Sequence, residues 1–116
     1  MYRLFFLALA LVISCSGAVR ADDLHKDDWS FNFFNDSRQT VTQINTIRRD
    51  GEWSRNWLRE PMDRGTGLTL SFKDKGDTRC KVRTYVKFTD GSFYDREIDY
   101  CGIAIVRVTG RAMTTE

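Results

Sequence analysis

CKVRTYVKFTDGSFYDREIDYC, residues Cys80 to Cys101, reads as two strands folded about Asp90-Gly91. Val82, Val86 and Phe88 fall on one face of the first strand, with Lys81, Arg83 and Lys87 on the other. A two-residue turn at Asp90-Gly91 would set Cys80 opposite Cys101. It would also set Val82 against Asp99 and Val86 against Asp95, placing carboxylates on the apolar face. A three-residue loop, Thr89-Asp90-Gly91 with Gly91 left-handed, removes that conflict. Val82 then meets Ile98, Val86 meets Tyr94, and Lys81 and Arg83 meet Asp99 and Glu97. Cys80 now faces Tyr100 and misses Cys101 by one residue. A bulge near Tyr100 would restore the match. The apolar positions agree, running even through Tyr94 and Ile98, then odd through Cys101, Ile103 and Ile105. The expectation is a bulged hairpin stapled at its open end by a Cys80–Cys101 disulfide.

Strand signals continue on both sides of this hairpin. An aromatic run from Trp29 through Phe31, Phe33 and Phe34 closes on the turn cluster Asn35-Asp36-Ser37. Thr40 to Arg48 is rich in β-branched residues. In Asp50 to Met62, Trp53, Trp57 and Leu58 recur at helical spacing until Pro61, so one short helical turn is expected there. Leu68, Leu70 and Phe72 alternate as a half-buried strand, and Ile103 to Val108 forms a last apolar strand. Six or seven short strands predict an all-β domain, a small β-sandwich immunoglobulin-like in architecture. It should span 29–110, with 111–116 a frayed tail.

The chain has 116 residues, and its first 21 read as an export signal. Arg3 is followed by the unbroken apolar run Leu4 to Ile13, too short to span a bilayer and right for a signal core. Val19 and Ala21 fit cleavage before Asp22, leaving 22–28 as a flexible acidic leader. Val12-Ile13-Ser14-Cys15 offers a rival reading, lipidation at Cys15, which would anchor the protein to the envelope membrane. Either way two cysteines remain in the domain, and an even pair in an exported chain reads as one disulfide. Without Arg3 and Arg20, basic and acidic residues balance at 16 each. That balance removes the usual electrostatic case for nucleic-acid binding.

The order of these motifs resembles that of small, exported proteobacterial proteins of unknown function. The likeness rests on Phe33-Phe34-Asn35, Trp53 through Leu58, Gly67 through Phe72, Cys80 through Phe88, Asp90-Gly91, and Ile98-Asp99-Tyr100-Cys101. It spans about residues 29–108 and implies a periplasmic β-domain. It supplies no activity.

Candidate chemistry is sparse. His25 is the single histidine and lies in the leader, where no rigid acid–base pair can be built on it. Asp95, Glu97 and Asp99 share one strand face and could hold a hard cation or serve as an acid–base pair. Ion pairing with Lys81, Arg83 and Lys87 across the hairpin is the stronger reading. Trp53, Trp57, Phe93 and Tyr94, with Trp29, form either lids on the core or a patch for a ligand or partner. Asn35-Asp36-Ser37 matches a glycosylation acceptor and equally a turn. Arg48, Arg49, Arg55, Arg59 and Arg64 alternate with acids and read as a solvated mixed face. The expectation is a periplasmic or secreted, non-enzymatic binding module of the cell envelope, needing no cofactor. Its partner would be an envelope protein, a peptide or a glycan. The rival expectations are a small carboxylate-based hydrolase and a calcium-stabilised structural domain.

Overall fold

A computed structural model describes residues 30–74 and 76–116. The export signal, Cys15, the leader with His25, and Trp29 lie outside the described residues. Among the described residues seven strands form: β1 Ser30–Asn35, β2 Val41–Thr46, β3 Gly67–Ser71, β4 Lys81–Phe88, β5 Phe93–Asp99, β6 Ile105–Val108 and β7 Met113–Thr115. They make a four-stranded sheet, β3-β1-β6-β7, and a three-stranded sheet, β2-β4-β5. The strands of β1–β6 run parallel, while every other pair is antiparallel.

Period-two alternation explains why the two sheets close on each other. Phe31 and Phe33 of β1, Val106 and Val108 of β6 and Met113 of β7 point inward from one sheet. Val41 and Ile44 of β2, Val82, Val86 and Phe88 of β4 and Ile98 of β5 meet them from the other, in one continuous core. This is a small β-sandwich. Its four-plus-three division matches a seven-stranded immunoglobulin sandwich, but the strand order and the parallel β1–β6 pair are its own. Two long polar side chains tie the β5 and β7 sides together across the layers. The Tyr94 hydroxyl donates to the Thr109 carbonyl at 2.6 Å, and Arg96 Nη1 donates to the Met113 carbonyl at 3.0 Å.

The hairpin register is the one the charges demanded. Val82 faces Ile98, Val86 faces Tyr94, and Gly91 takes a φ of 90° in the three-residue loop. The Cys80–Cys101 disulfide is present, with Cα atoms 5.0 Å apart. Its route differs from the expected bulge. The ladder ends where Tyr100 N–H donates to the Cys80 carbonyl at 2.7 Å, and the chain then turns through Cys101-Gly102, with Gly102 at φ 82°. Asp99 Oδ1 holds that turn by accepting the Cys101 N–H at 3.0 Å. The odd-numbered apolar parity therefore does not persist. Val106 and Val108 are fully buried, whereas Ile103 and Ile105 are only half-buried.

Two further expectations need correction. No helical turn forms between Asp50 and Met62. That segment runs extended along the free edge of β2 instead. Ser54 N–H donates to the Thr46 carbonyl, Trp57 N–H to the Ile44 carbonyl, and Met62 exchanges a pair of bonds with Val41. Where the backbone bows away, Asn56 replaces it: Oδ1 accepts the Ile44 N–H and Nδ2 donates to the Thr42 carbonyl, each at 3.0 Å. Backbone pairing to an open edge outweighs a helical spacing carried by three apolar residues. Nor is 111–116 a frayed tail. Met113 inserts into the core at 2 % exposure, and Met113–Thr115 pairs with β6. The tail had too few apolar residues to show a period, but one well-placed buried side chain is enough to dock it.

Asn35 explains how the acceptor-like triplet is used. It is fully buried at the end of β1 and donates both amide hydrogens, to the Gln39 and Met62 carbonyls. Its Oδ1 accepts from the Ser37 N–H and Oγ. The side chain holds a turn and has no hydrogen left to offer a glycan-transferring enzyme.

Candidate functional site

The outer face of the three-stranded sheet collects the exposed aromatic residues. Odd-numbered positions of β4 and β5 point away from the core, which brings Lys81, Arg83, Tyr85 and Lys87 beside Phe93, Asp95, Glu97 and Asp99. Tyr85 sits centrally. Phe93 lies against it on one side, with ring centroids 5.3 Å apart. Trp53 meets its edge from the other side at 6.0 Å. Trp53 reaches this face because its segment bridges to Ile47 along the β2 edge. Three aromatic rings therefore run in a row across the strands, with Trp53 40 % and Phe93 56 % exposed.

Arg83 frames this row. Its guanidinium stands 5.1 Å from the Trp53 ring centre and grips Asp95 through two parallel hydrogen bonds of 2.8 and 2.7 Å. The bond to Arg83 holds the Asp95 carboxyl below its usual range, and it raises Arg83 in return. The pair is diagonal: Arg83 lies opposite Glu97 in the ladder but bonds Asp95. Glu97 and Asp99 are exposed and form no ion pair among the described residues. Asp99 also lies near Cys80 and Cys101, within 4.8 Å, but those sulfurs are bonded to each other and are not thiolate ligands.

The four aromatic candidates thus separate. Trp53 and Phe93 join the exposed row. Trp57 turns inward instead, packing edge-on to Phe72 at 4.9 Å and against Phe31 at 6.0 Å, with Nε1 donating to Ser54 Oγ. Tyr94 faces the core and meets Phe88 edge-on at 5.7 Å. Tyr85 is the member that sequence reading missed. Its signal was the odd-position alternation that also placed Lys81, Arg83 and Lys87 outward.

Phe93 also borders a shallow concavity of about 800 Å³ at one end of the sandwich. Three turns surround it: residues 36–39, 88–92 and 109–111. Its lining carries both signs of charge, Arg38 and Arg111 with Asp36 and Asp90. Asp36 is paired with Arg107, and the Ser92 hydroxyl and N–H hold Asp90 below the usual carboxylate range. In sandwiches the turns at one end are the natural binding loops, since they vary without disturbing the sheets.

The chain matches no protein-family model, no curated protein and no solved structure.

Proposed function

We propose that this protein is an exported binding domain, without catalytic activity, that recognises an envelope protein, peptide or glycan. The recognition surface is the Trp53–Tyr85–Phe93 row together with the adjoining loop end. One observation carries this reading: Trp53 and Phe93 stay exposed in a contiguous row with the half-buried Tyr85, on the sheet face turned away from the core. Rigid aromatic rings lose little conformational freedom on binding and present flat apolar area, which suits both sugars and peptides. The Cys80–Cys101 disulfide is compatible with an oxidising, extracytoplasmic compartment, which supports the periplasmic or secreted location. The same reading sets the chain beside the small exported proteobacterial domains it resembles.

The hydrolase alternative draws less support. General acid catalysis by a carboxyl group requires a raised pKa in a secluded site. Asp95 is shifted downward by Arg83, and Glu97 and Asp99 stand on an open strand. The test is a photo-crosslinking residue placed at position 93 in intact cells. A single recurrent adduct that disappears in the Trp53→Ala background is the expected result. An adduct pattern indifferent to Trp53 would overturn the proposal, as would no adduct.

A further inference from the structure

Among the described residues nothing pairs with the outer edge of β5, and the pattern of charge there selects an occupant. Within the β4–β5 ladder the hydrogen-bonded pairs are the even ones. Phe88 N–H donates to the Ser92 carbonyl at one end, and Tyr100 N–H donates to the Cys80 carbonyl at the other. Directly opposed pairs alternate between bonded and non-bonded, so Tyr94, Arg96 and Ile98 bond to β4 as well. The odd residues of β4 turn their backbone the other way, toward β2, as the Arg83 carbonyl does in accepting the Ile47 N–H. By the same parity Phe93, Asp95, Glu97 and Asp99 aim their N–H and C=O groups away from the sheet. Among the described residues no strand pairs with β5 on that side. The contrast with β2 is sharp, because residues 53–62 cover the β2 edge.

Open edges are ordinarily blunted by a lysine, a proline or a bulge. Strand β5, FYDREID, has none of these over seven residues, and its one inward-side charge, Arg96, is bonded to the Met113 carbonyl. Its guard is acidic and therefore selective. A second copy laid antiparallel on β5 would bring Asp95 and Glu97 against acids of the same kind, which is unfavourable. An extended segment with basic residues at alternate positions meets the opposite situation. Its basic side chains would lie beside Glu97 and Asp99, which lack ion-pair partners among the described residues, and the apolar residues between them would fall on the inner face beside Tyr94 and Ile98.

We propose that β5 accepts an extended basic peptide segment of a partner protein as an eighth strand, through the outward backbone groups of Phe93, Asp95, Glu97 and Asp99. This rests on the binding-domain reading above and narrows its partner to a protein chain with alternating basic residues. Main-chain bonds supply the affinity, and the alternate side chains supply the selection.

The test uses the oxidised exported protein and three nine-residue probe peptides. One alternates Lys and Val, one alternates Glu and Val, and the third is the Lys/Val peptide N-methylated on alternate amides. The Lys/Val peptide should bind, and the N-methylated form should bind at least about tenfold more weakly, since charge is kept and donors are lost. Glu97→Pro removes an outward N–H and an edge carboxylate but no bond to β4, so it should keep the fold and abolish binding. Should that variant not fold, E97K serves instead, leaving Asp99 to hold the Cys101 turn, and should shift preference toward the Glu/Val peptide. Equal binding of methylated and unmethylated peptides would overturn the proposal by reducing it to charge attraction. Failure of every peptide to bind would overturn it too. The broader reading fails separately, through loss of position-93 adducts or their indifference to Trp53→Ala, because Trp53 lies at the opposite edge of the sheet.

Discussion

Arg83 and Asp95 are joined by two parallel hydrogen bonds running diagonally between β4 and β5, while the same guanidinium lies over Trp53. One side chain thereby links the acidic edge of the sheet to its aromatic row. The direction of the resulting pKa shift gives a prediction. Asp95 is held lower in the folded protein than in the unfolded chain, so it contributes stability above its unfolded value, near 3.9. That contribution disappears as pH falls through the folded value. Asp50 and Asp90 are lowered for similar reasons, by the Glu52 N–H and by Ser92. Thermal melts from pH 5 to pH 2 should therefore show falling stability. Asp95→Asn should flatten part of that fall and leave the remainder.

The two tryptophans should separate in a stability measurement. Trp57 packs against Phe31 and Phe72, so Trp57→Ala should cost about 3 kcal/mol, the lower end for a buried large aromatic. Trp53 is 40 % exposed and should cost about 1 kcal/mol or less on the same change. Equal losses in urea titrations would contradict the division between core and surface.

The disulfide closes a separation of 21 residues at the open end of the hairpin. Replacing both Cys80 and Cys101 with Ala should cost about 3 kcal/mol by the loop-entropy argument. A thiol titration of the non-reduced protein checks the bond directly. Two reactive thiols from these positions would refute it.

Met113 fills the core from the last strand. Met113→Ala should cost about 2–4 kcal/mol, and ending the chain at Arg111 should cost more, because the pairing with β6 is lost as well. Melting curves of both variants decide this. A truncated chain as stable as the parent would restore the frayed-tail expectation.

Asn35 offers a sharper test of its buried network. Asn35→Ala leaves the Gln39 and Met62 carbonyls without their donor and should cost about 2–3 kcal/mol. Expression in a host that glycosylates Asn-x-Ser should yield folded protein of unchanged mass.

Local alternation made most of this fold legible. The register of β4 and β5 followed from keeping Asp95 and Asp99 off the face of Val82 and Val86, and the disulfide followed from two remaining cysteines. What stayed hidden depended on partners distant in sequence. Trp53 and Trp57 suggest a helical turn only until β2 offers a free edge 10 or so residues away, where Ser54 and Trp57 find backbone acceptors. The parallel pairing of β1 with β6 joins Asn32 to Ile105, a contact no short-range pattern encodes. The turn at Cys101-Gly102 imitated a bulge because both solutions advance the chain by one residue. At the surface, Phe93 was recognisable as a candidate, whereas Tyr85 became one only when Trp53 and Phe93 were seen on either side of it.

The proposed role of the Trp53–Tyr85–Phe93 row is to bind and not to hold the fold. Its most direct measurement pairs a thermal melt with crosslinking in intact cells, comparing the parent protein with Trp53→Ala/Phe93→Ala. The melting temperature should stay within a few degrees of the parent, as expected for exposed positions, and the captured molecule should be lost. Undiminished capture by the doubly substituted, folded protein would contradict it.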